Sequence, residues 1–228
     1  MQIFYCVDIK SEVTLNETES QHAIKVLRLK RGDIVQIING EGSLFEGAIA
    51  YPHPKKCEVE GIRKIQSTTE PNEIHLVIAP TKNHDRMEWL IEKVTEIGVT
   101  RVSFIECKHS ERRKVNVDRL ERKALSALKQ CQGLWLPEIN DIRSFSEVIE
   151  KIKTVGKYIA HLDGTNRNLL SAGADNNNHT ILIGPEGDFS AEEIQIAQNH
   201  KFQPISLGGN TLRTETAGIY AVVLLKNI

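Results

Sequence analysis

The chain has 228 residues, with 29 Lys and Arg against 30 Asp and Glu, which gives a formal net charge of −1. Apolar residues make up 40% and charged residues 26%, values typical of a globular protein that exclude disordered and collagen-like chains. Because the total charge is balanced, any binding of nucleic acid requires a local basic patch.

The cysteines and histidines form no ligand-like groups. The four cysteines, which have no C-x-x-C spacing, are Cys6, Cys57, Cys107 and Cys131. They predict reduced thiols of a cytoplasmic protein rather than a disulfide framework or a zinc site. The eight histidines include no H-E-x-x-H pair, so we expect no metal. No run approaches the roughly 20 apolar residues of a membrane helix, and the amino terminus lacks the pattern of a signal peptide.

The first 70 residues predict a small β-barrel. Short runs with β-branched or aromatic residues cover 3–7, 34–38, 44–50 and 57–65, with turn signals between them. One helix interrupts them over 19–29, and Arg28, Lys30 and Arg31 follow at its end. Cations favour a helix carboxyl terminus, so this cluster is open to two readings, a solvated charge group or an RNA contact.

After a polar linker over 66–72, strands alternate with helices. We expect strands at 74–79, 102–105 and 158–162, and helices at 87–97, 118–132 and 145–152, with Gly98 ending the first helix. This alternation predicts a mainly parallel sheet covered on both faces.

The stretch from 179 to 228 carries the strongest pattern. Two apolar runs, at 181–183 and 204–207, each end in a glycine-containing loop that leads into a helix. Ser190 and Glu193 form a capping box for the first helix, and Thr214 or Thr216 is the expected cap of the second. Ligands of open α/β sheets bind at such loops, which follow the carboxyl ends of parallel strands.

The chemistry of these two loops predicts a ligand with a flat, mostly apolar group. Neither G-x-G-x-x-G nor a Gly-Lys-Ser/Thr sequence is present. Ile183, Leu207 and Leu212 supply aliphatic walls that would suit an adenine ring and a thioether. Four glycines would leave backbone amides and carbonyls accessible to a ligand, namely Gly184, Gly187, Gly208 and Gly209. Ordinary connections between helix and strand are the alternative.

The amino-acid sequence of the two loops is more specific than the spacing of their glycines. GPEGDFSAEEI followed by LGGNTLRTETA closely resembles the RsmE-type ribosomal RNA uridine methyltransferases of the SPOUT superfamily. HAIKVLRLKRGD, KNHDRMEWLIEKVTEIGV and HSERRKV are similar to further segments of that family. The resemblance implies a homodimer in which a PUA-like RNA-binding β-barrel over 1–70 precedes a trefoil-knotted α/β domain over 73–228.

This chain departs from the family pattern at two places. The stretch from 130 to 135 lacks the basic residue that the family commonly has there, which weakens the case for an RNA contact at that point. Asp188 replaces the second glycine of the usual Gly-Pro-Glu-Gly-Gly-Phe. Because Asp tolerates unusual turn geometry, we expect the loop to keep its shape.

The resemblance implies a cofactor and a reaction, namely methylation of N3 of a uridine in 16S ribosomal RNA of the small subunit by S-adenosylmethionine. The implied cofactor-binding residues are Leu162, Ile183, Gly184, Pro185, Glu186, Gly187, Leu207, Gly208, Leu212 and Thr216. The methyl donor is already reactive, so the protein must mainly position the acceptor and exclude water.

N3 of uracil carries a proton and is a poor nucleophile until that proton leaves. Arg213, which is always charged, is our candidate for stabilising the uracil anion or gripping phosphate. Glu186 and Glu215 are weaker candidates for removing the proton. Anchoring of these glutamates to backbone amides or to Arg213 is at least as good an interpretation.

One segment is locally positive although the net charge of the chain is close to zero. Residues 108–123 contain seven basic residues against Glu111, Asp118 and Glu121. Such a patch attracts a phosphate backbone, although a solvated helix face is the alternative. The RNA-binding residues that we predict are Arg28, Arg31, Lys82, Arg86, Arg112 and Arg113.

Two other functions remain open from the sequence. Related SPOUT enzymes methylate the ribose 2′-hydroxyl, and mapping the methylated atom separates this activity from N3 methylation. A non-catalytic RNA-binding or ribosome-assembly factor with the same fold would fail to bind S-adenosylhomocysteine.

Overall fold

The computed structural model describes residues 2–161 and 178–226. The chain divides into two compact units. The first contains Met1–Glu70 together with Leu128–Leu136, and the second contains Pro71–Ala127 together with Pro137–Ile228.

The first unit is built on a five-stranded sheet. Its strands are β1 (Ile3–Tyr5), β2 (Val13–Thr14), β3 (Ile34–Ile38), β4 (Ser43–Tyr51) and β5 (Glu58–Ser67). They lie in the order β1-β3-β4-β5-β2, and only β1 with β3 is a parallel pair. Three register shifts between β4 and β5 allow the sheet to curl. Its core contains Phe4, Leu15, Val35, Ile37 and Ile49. The curled sheet confirms the predicted small β domain.

The helix of the first unit differs from its prediction. It begins as α1 (Glu17–Gln21), whose first turn is capped by the Asn16 side chain, and continues as a π-helical turn, His22–Val26. Arg28 has φ 56°, in the left-handed region, where a helix ends. The helical segment therefore starts earlier and stops sooner than the predicted 19–29.

The segment Leu128–Leu136 packs within the first unit, which the sequence did not indicate. Leu128 and Leu134 form a small core with Ile38. The Gly42 amide donates to the Leu134 carbonyl over 2.9 Å, and Lys129 pairs with the buried Glu19. The chain thus leaves the second unit at residue 127 and returns to it at 137.

The second unit contains a six-stranded sheet, and each pair of neighbouring strands among its described residues is parallel. Its strands are β6 (Ile74–Ile78), β7 (Arg101–Glu106), β8 (Glu138–Ser144), β9 (Gly156–Ala160), β10 (His179–Ile183) and β11 (Gln203–Ile205), in the order β11-β9-β10-β6-β7-β8. The helices are α2 (His84–Ile97), α3 (Val117–Gln130), α4 (Phe145–Lys151), α5 (Ala191–Asn199) and α6 (Thr214–Lys226).

This sheet confirms the predicted α/β class with a mainly parallel sheet, whereas the trefoil knot stays a prediction. Every residue of β6 and β10 is buried, as expected for central strands covered on both faces. Gly218 of α6 permits close packing, because a Cβ there would lie 3.0 Å from Ile78 and 3.1 Å from Leu90. None of the helices among the described residues is long and apolar enough to cross a membrane.

Helix ends follow local sequence closely. Gly98 adopts φ 101°, and its amide donates to the Val94 carbonyl, as predicted for the end of α2. Ser190 caps α5, and Glu193 completes the predicted capping box. The strand β8 was not predicted, because its sequence EINDIRS is mostly polar and lacks the apolar run of a buried strand.

Candidate functional site

A cavity of about 300 Å³ lies where three adjacent strands, β11, β9 and β10, end. Ala160 at the end of β9 is in register with both Ile183 of β10 and Ile205 of β11, so the two following loops start side by side. Both glycine-containing loops line the cavity, as the sequence predicted. The lining residues are Arg86, Ala160, His161, Ile183, Gly184, Pro185, Glu186, Asp188, Ser206, Leu207, Gly208, Asn210, Thr211, Leu212, Arg213, Thr214, Glu215 and Ala217.

The first loop is shaped by a tight turn at Asp188. This residue has φ 60°, and its amide donates to the Pro185 carbonyl over 3.0 Å. Its carboxylate accepts the Phe189 amide over 2.7 Å, which ties the turn to the start of α5. An added Cβ on Gly184 would lie 3.2 Å from the Phe189 ring. Asp188 thus adopts a left-handed turn, a geometry that Asp tolerates, and the shape of this loop relative to the family stays a prediction.

The second loop requires glycine at one position. Gly208 has φ 120°, a conformation that a residue with a Cβ adopts only with strain. The Ser206 hydroxyl donates to the Gly208 carbonyl and accepts its amide, which holds the turn open beside the cavity. Among the described residues, no atom lies within 4 Å of a Cβ added at Gly208 or Gly209, which leaves this loop backbone accessible to a ligand.

The helix α6 begins at the cavity with Arg213 rather than with a threonine cap. The Arg213 carbonyl accepts the Ala217 amide over 2.8 Å, which is the first bond of the helix. Thr214 is already the first helical residue, and Thr216 lies inside the first turn, so the predicted threonine caps were wrong. A helix amino terminus is electropositive, and here it borders the cavity.

Glu215 is buried in the wall of the cavity, with only 5% of its surface exposed. Its Oε1 lies 3.6 Å from Nε of Arg86 on α2, and its Oε2 has no hydrogen-bond partner in the part of the chain that the structure describes. The sequence had offered Arg213 as an anchor for this glutamate, and the structure instead pairs it with Arg86.

Glu186 and Arg213 border the same cavity but differ from Glu215 in their surroundings. Both side chains are exposed, and within residues 2–161 and 178–226 neither forms an ion pair. Two unpaired, opposite charges at the mouth of a cavity are available to a ligand or substrate.

The cavity gathers most of the residues predicted to bind a cofactor. Seven of them line it: Ile183, Gly184, Pro185, Glu186, Leu207, Gly208 and Leu212. Gly187 and Thr216 do not line it, since Gly187 packs against His109 and Thr216 is exposed on α6. Leu162 lies outside the described residues.

Sequence reasoning missed several lining residues. Arg86 was predicted to contact RNA, yet it borders the cavity from a helix far away in the chain. Ala160 is the last residue of β9 and His161 follows it, and the only signal for these two residues was the strand predicted over 158–162. Asn210 and Thr211 lie within the second loop, whose importance was recognised without assigning these two side chains.

A buried carboxylate joins the first loop to the basic segment. Glu193, 8% exposed, accepts the Ser190 amide through Oε2 and the Lys108 amide through Oε1, both over 2.8 Å. His109 Nδ1 lies 3.1 Å from the Gly187 carbonyl. Burial raises the pKa of the neighbouring Cys107 thiol well above its usual range, which keeps it neutral.

The basic segment is less positive than its sequence suggested, because acids from other elements pair with it. Lys108 pairs with Glu192 over 2.9 Å, and Arg113 pairs with Glu106 over 3.1 Å. Arg119 and Lys123 likewise pair with glutamates of α2. Lys114 and Arg122 are exposed and have no ion pair among the described residues.

The remaining residues predicted to bind RNA fall into two groups. Arg28 and Arg31 are exposed in the first unit. In the second unit, the Arg112 guanidinium donates to the Lys82 carbonyl and contacts the His84 ring, while Lys82 Nζ lies 3.2 Å from Glu111. Arg112 therefore holds the loop before α2 in place. RNA contact by these residues stays a prediction.

The residues around the cavity suit a nucleoside-type ligand. A volume of about 300 Å³ lies at the lower end of the range for small-molecule sites. Aliphatic walls, open loop backbone and the polar side chains that line the cavity supply both apolar surface and hydrogen-bonding groups. Among the residues that the structure describes, no group of three or more His, Cys, Asp and Glu side chains could hold a metal ion.

Comparisons with known proteins identify the family of this chain. An RNA methyltransferase domain matches residues 68–226, and an RNA methyltransferase PUA domain matches residues 15–60. Ribosomal RNA small subunit methyltransferase E of Mesomycoplasma hyopneumoniae is 30% identical, over 93% of this chain and 90% of that protein.

Solved structures share the fold over nearly the whole chain. A probable rRNA-methyltransferase from Porphyromonas gingivalis has a TM-score of 0.87 and 39% identity, with 99% of this chain and 97% of that chain covered. A methyltransferase from Legionella pneumophila, crystallised with bound SAM, has a TM-score of 0.84 and 25% identity, with 98% and 96% covered. Since the methyltransferase domain model spans well over half of the sequence, this chain belongs to the RNA methyltransferase family.

Proposed function

We propose that this protein transfers a methyl group from S-adenosylmethionine to N3 of a uridine in the 16S ribosomal RNA of the small subunit. The observation that carries the proposal is the cavity at the ends of β9, β10 and β11, lined by both glycine-containing loops. Its place at the carboxyl ends of parallel strands is where α/β proteins bind nucleotide-like ligands.

The residues of the cavity fit the cofactor in chemistry and size. Ile183, Leu207 and Leu212 would cover the adenine ring, and the backbone around Gly184 and Gly208 would supply hydrogen bonds to its edge. S-adenosylmethionine, when bound, supplies an activated methyl group. Enclosure by the two loops would keep water away from that group and orient it toward the acceptor.

Arg213 would lower the barrier to loss of the N3 proton. When that proton leaves, negative charge develops on the uracil ring, and an exposed guanidinium at the mouth of the cavity can stabilise it. Glu186, on the facing loop, is exposed, has no ion pair among the described residues and can receive the proton. The target uridine must leave any base pair, because N3 lies on its pairing edge.

Phosphate contacts would come from exposed cations of both units. Lys114 and Arg122 in the second unit and Arg28 and Arg31 in the first are exposed and suited to a phosphate backbone. Such contacts position an RNA without specifying its sequence, so the choice of nucleotide must come from the mouth of the cavity.

We also propose that the protein works in the cytoplasm as a homodimer. Tyr220 on α6 and Trp89 on α2 are large side chains that stay 41% and 45% exposed, and these two helices pack together. Exposed aromatic side chains are enriched at interfaces between subunits. Light scattering of the purified protein tests this, and a mass equal to one chain at micromolar concentration would contradict it.

The activity is tested with labelled S-adenosylmethionine and small subunits that lack the modification. We expect label in 16S RNA, at N3 of a single uridine when the modified nucleotide is mapped. Label on a ribose 2′-hydroxyl would replace the proposed position with the alternative one. Absence of label, while a relative from this family is active in the same assay, would refute the activity.

A further inference from the structure

Glu215 is an under-bonded carboxylate in the wall of the cavity. Only 5% of its surface is exposed, and within residues 2–161 and 178–226 its Oε2 has no hydrogen-bond partner. Among the described residues it forms one ion pair, in which Oε1 lies 3.6 Å from Arg86 Nε, a distance too long for a good hydrogen bond. A buried charge normally has its lone pairs satisfied, so this group requires an explanation.

Two features of the surroundings favour an anion at this position and restrain the direction of the carboxylate. Glu215 lies in the first turn of α6, where the helix amino terminus favours an anion. Arg86 approaches it from α2 and also borders the cavity, so the guanidinium restrains the carboxylate from a second element. Because the last torsion of a glutamate is broad and two-fold, rotation can present either oxygen to the cavity.

We propose that Glu215 accepts a hydrogen bond from an N–H or O–H group of the S-adenosyl ligand, and that Arg86 is the positioning residue that holds Glu215 for it. This inference rests on the proposed function and assigns both residues a role different from their predicted ones. Glu215 is a ligand-holding group rather than the base for uracil, and Arg86 acts through Glu215 rather than by contacting RNA.

The burial of Glu215 and the partial burial of Arg86 also favour a role in binding the small ligand. A base for N3 must meet a nucleotide that enters from solvent, and the exposed Glu186 is open to solvent whereas Glu215 is not. A cation that serves phosphate should be free, whereas Arg86 is only partly exposed and is engaged with Glu215. The pair thus belongs to the binding of the small ligand.

The test measures binding of S-adenosylhomocysteine by calorimetry to the full chain, without any turnover. We expect Glu215→Gln to weaken binding by about ten- to a hundredfold, because a charge-assisted hydrogen bond is lost. Arg86→Met should weaken binding, and Arg86→Lys should retain more of it. In the double variant, Glu215→Gln with Arg86→Met, the losses should be less than additive because both changes disrupt one contact.

The control is Lys93→Met, which removes a cation from the same helix α2, where Lys93 pairs with Glu92 and Glu96 away from the cavity. Its affinity should stay within about twofold of the unmodified protein. Circular dichroism establishes that each variant is folded before its affinity is compared. Binding of 5′-methylthioadenosine, which lacks the amino-acid group, locates the hydrogen-bond donor on the ligand. If Glu215→Gln weakens binding of 5′-methylthioadenosine as well, the donor lies on the nucleoside. If it weakens binding of S-adenosylhomocysteine alone, the donor lies on the amino-acid part.

The outcomes separate this inference from the proposed function. Failure of the unmodified protein to bind S-adenosylhomocysteine would overturn both. Binding by the unmodified protein with equal affinity in folded Glu215→Gln would overturn the role of Glu215 alone. Loss of methyl transfer in Glu215→Gln with unchanged ligand affinity would also overturn it, because that result identifies a base.

Discussion

A row of polar side chains crosses the buried part of the parallel sheet. His75 of β6 lies 2.8 Å from the Ser103 hydroxyl of β7, and Thr154 donates to Thr180 of β10 over 2.8 Å. Burial lowers the pKa of His75 to about 3, and the positive charge of Arg101 contributes in the same direction. The imidazole is therefore neutral in the folded protein throughout the physiological range.

This histidine makes stability depend on acid. The ordinary pKa of a histidine is 6.5, so the side chain becomes protonated in the unfolded chain below that pH. In the folded chain it stays neutral down to about pH 3. Stability should fall as pH drops through this window, by about 1.4 kcal/mol from His75 alone at pH 5.5 relative to pH 7.5. Urea denaturation at both pH values measures the effect.

The substitution His75→Gln should reduce this pH dependence, since Gln does not titrate. His22→Gln, at an exposed position of the first unit, is the control for removing a histidine. An identical loss of stability between pH 7.5 and 5.5 in His75→Gln and the unmodified protein would contradict the prediction.

Arg213 is predicted to act on the chemical step. We expect Arg213→Met to lower kcat for methyl transfer by about a hundred- to a thousandfold, because it removes charge stabilisation of the uracil anion. Binding of S-adenosylhomocysteine should change little. Arg143→Met, at another exposed arginine, controls for loss of a positive charge. A KM effect on RNA with an unchanged kcat would instead assign Arg213 to phosphate binding.

At the scale of elements, the amino terminus of α5 connects the first loop to the basic segment. Ser190 is the cap, and Glu193 accepts two backbone amides, one of them from Lys108 in a separate loop. Local sequence predicted the cap, whereas the bond to Lys108 depends on how β7 and β10 are placed in the sheet. The same glutamate thus serves a helix and a loop.

We expect unequal effects of substitution within this capping box. Ser190→Ala should destabilise the protein by about 1 kcal/mol, the usual loss for a helix cap. Glu193→Ala should cost more, about 2–4 kcal/mol, since two amides lose their partner. Ser144→Ala, in the exposed capping box of α4, gives the reference for a simple cap. Equal losses in Ser190→Ala and Glu193→Ala, measured by urea denaturation, would show that the bond to Lys108 contributes nothing.

Elements whose formation depends on neighbouring residues were predicted better than elements whose formation depends on tertiary contacts. The strand β3 and the end of α2 at Gly98 were predicted closely, because alternation and a left-handed glycine are properties of neighbouring residues. The strand β8 was missed because it lies at the sheet edge, where pairing with β7 replaces an apolar pattern. The π-helical turn after α1 was also missed, because the sequence predicted one continuous helix there; its Ala23 lies in the core of the first unit.

At the scale of the whole molecule, the chain passes between its two units more than once. Lys129 pairs with Glu19 over 2.6 Å inside the first unit, and the Glu19 side chain is only 6% exposed. Among the described residues, the other oxygen of Glu19 has no hydrogen-bond partner. Neutralisation of this buried charge therefore depends on Lys129. The segment Leu128–Leu136 is therefore part of the first unit's stability, although it lies far from it in sequence.

Removing this lysine should be costly. Lys129→Met leaves Glu19 buried and unpaired, for which we expect a loss of about 3 kcal/mol. Adding Glu19→Gln should restore part of the stability, because the uncompensated charge disappears. Lys56→Met breaks the exposed pair with Glu58 in the same unit and should cause no measurable loss in urea denaturation. No recovery in the double variant would contradict the assignment of the cost to the charge.

The sequence by itself determined the two loops, their glycines, the capping box of α5 and the family resemblance, because these depend on residues within a few positions of each other. Only the tertiary structure decided that Arg86, and not Arg213, pairs with Glu215, and that Leu128–Leu136 joins the first unit. The physical reason is range. A turn or cap is set by local backbone geometry, whereas an ion pair between distant segments exists only once the sheet order has brought their helices together.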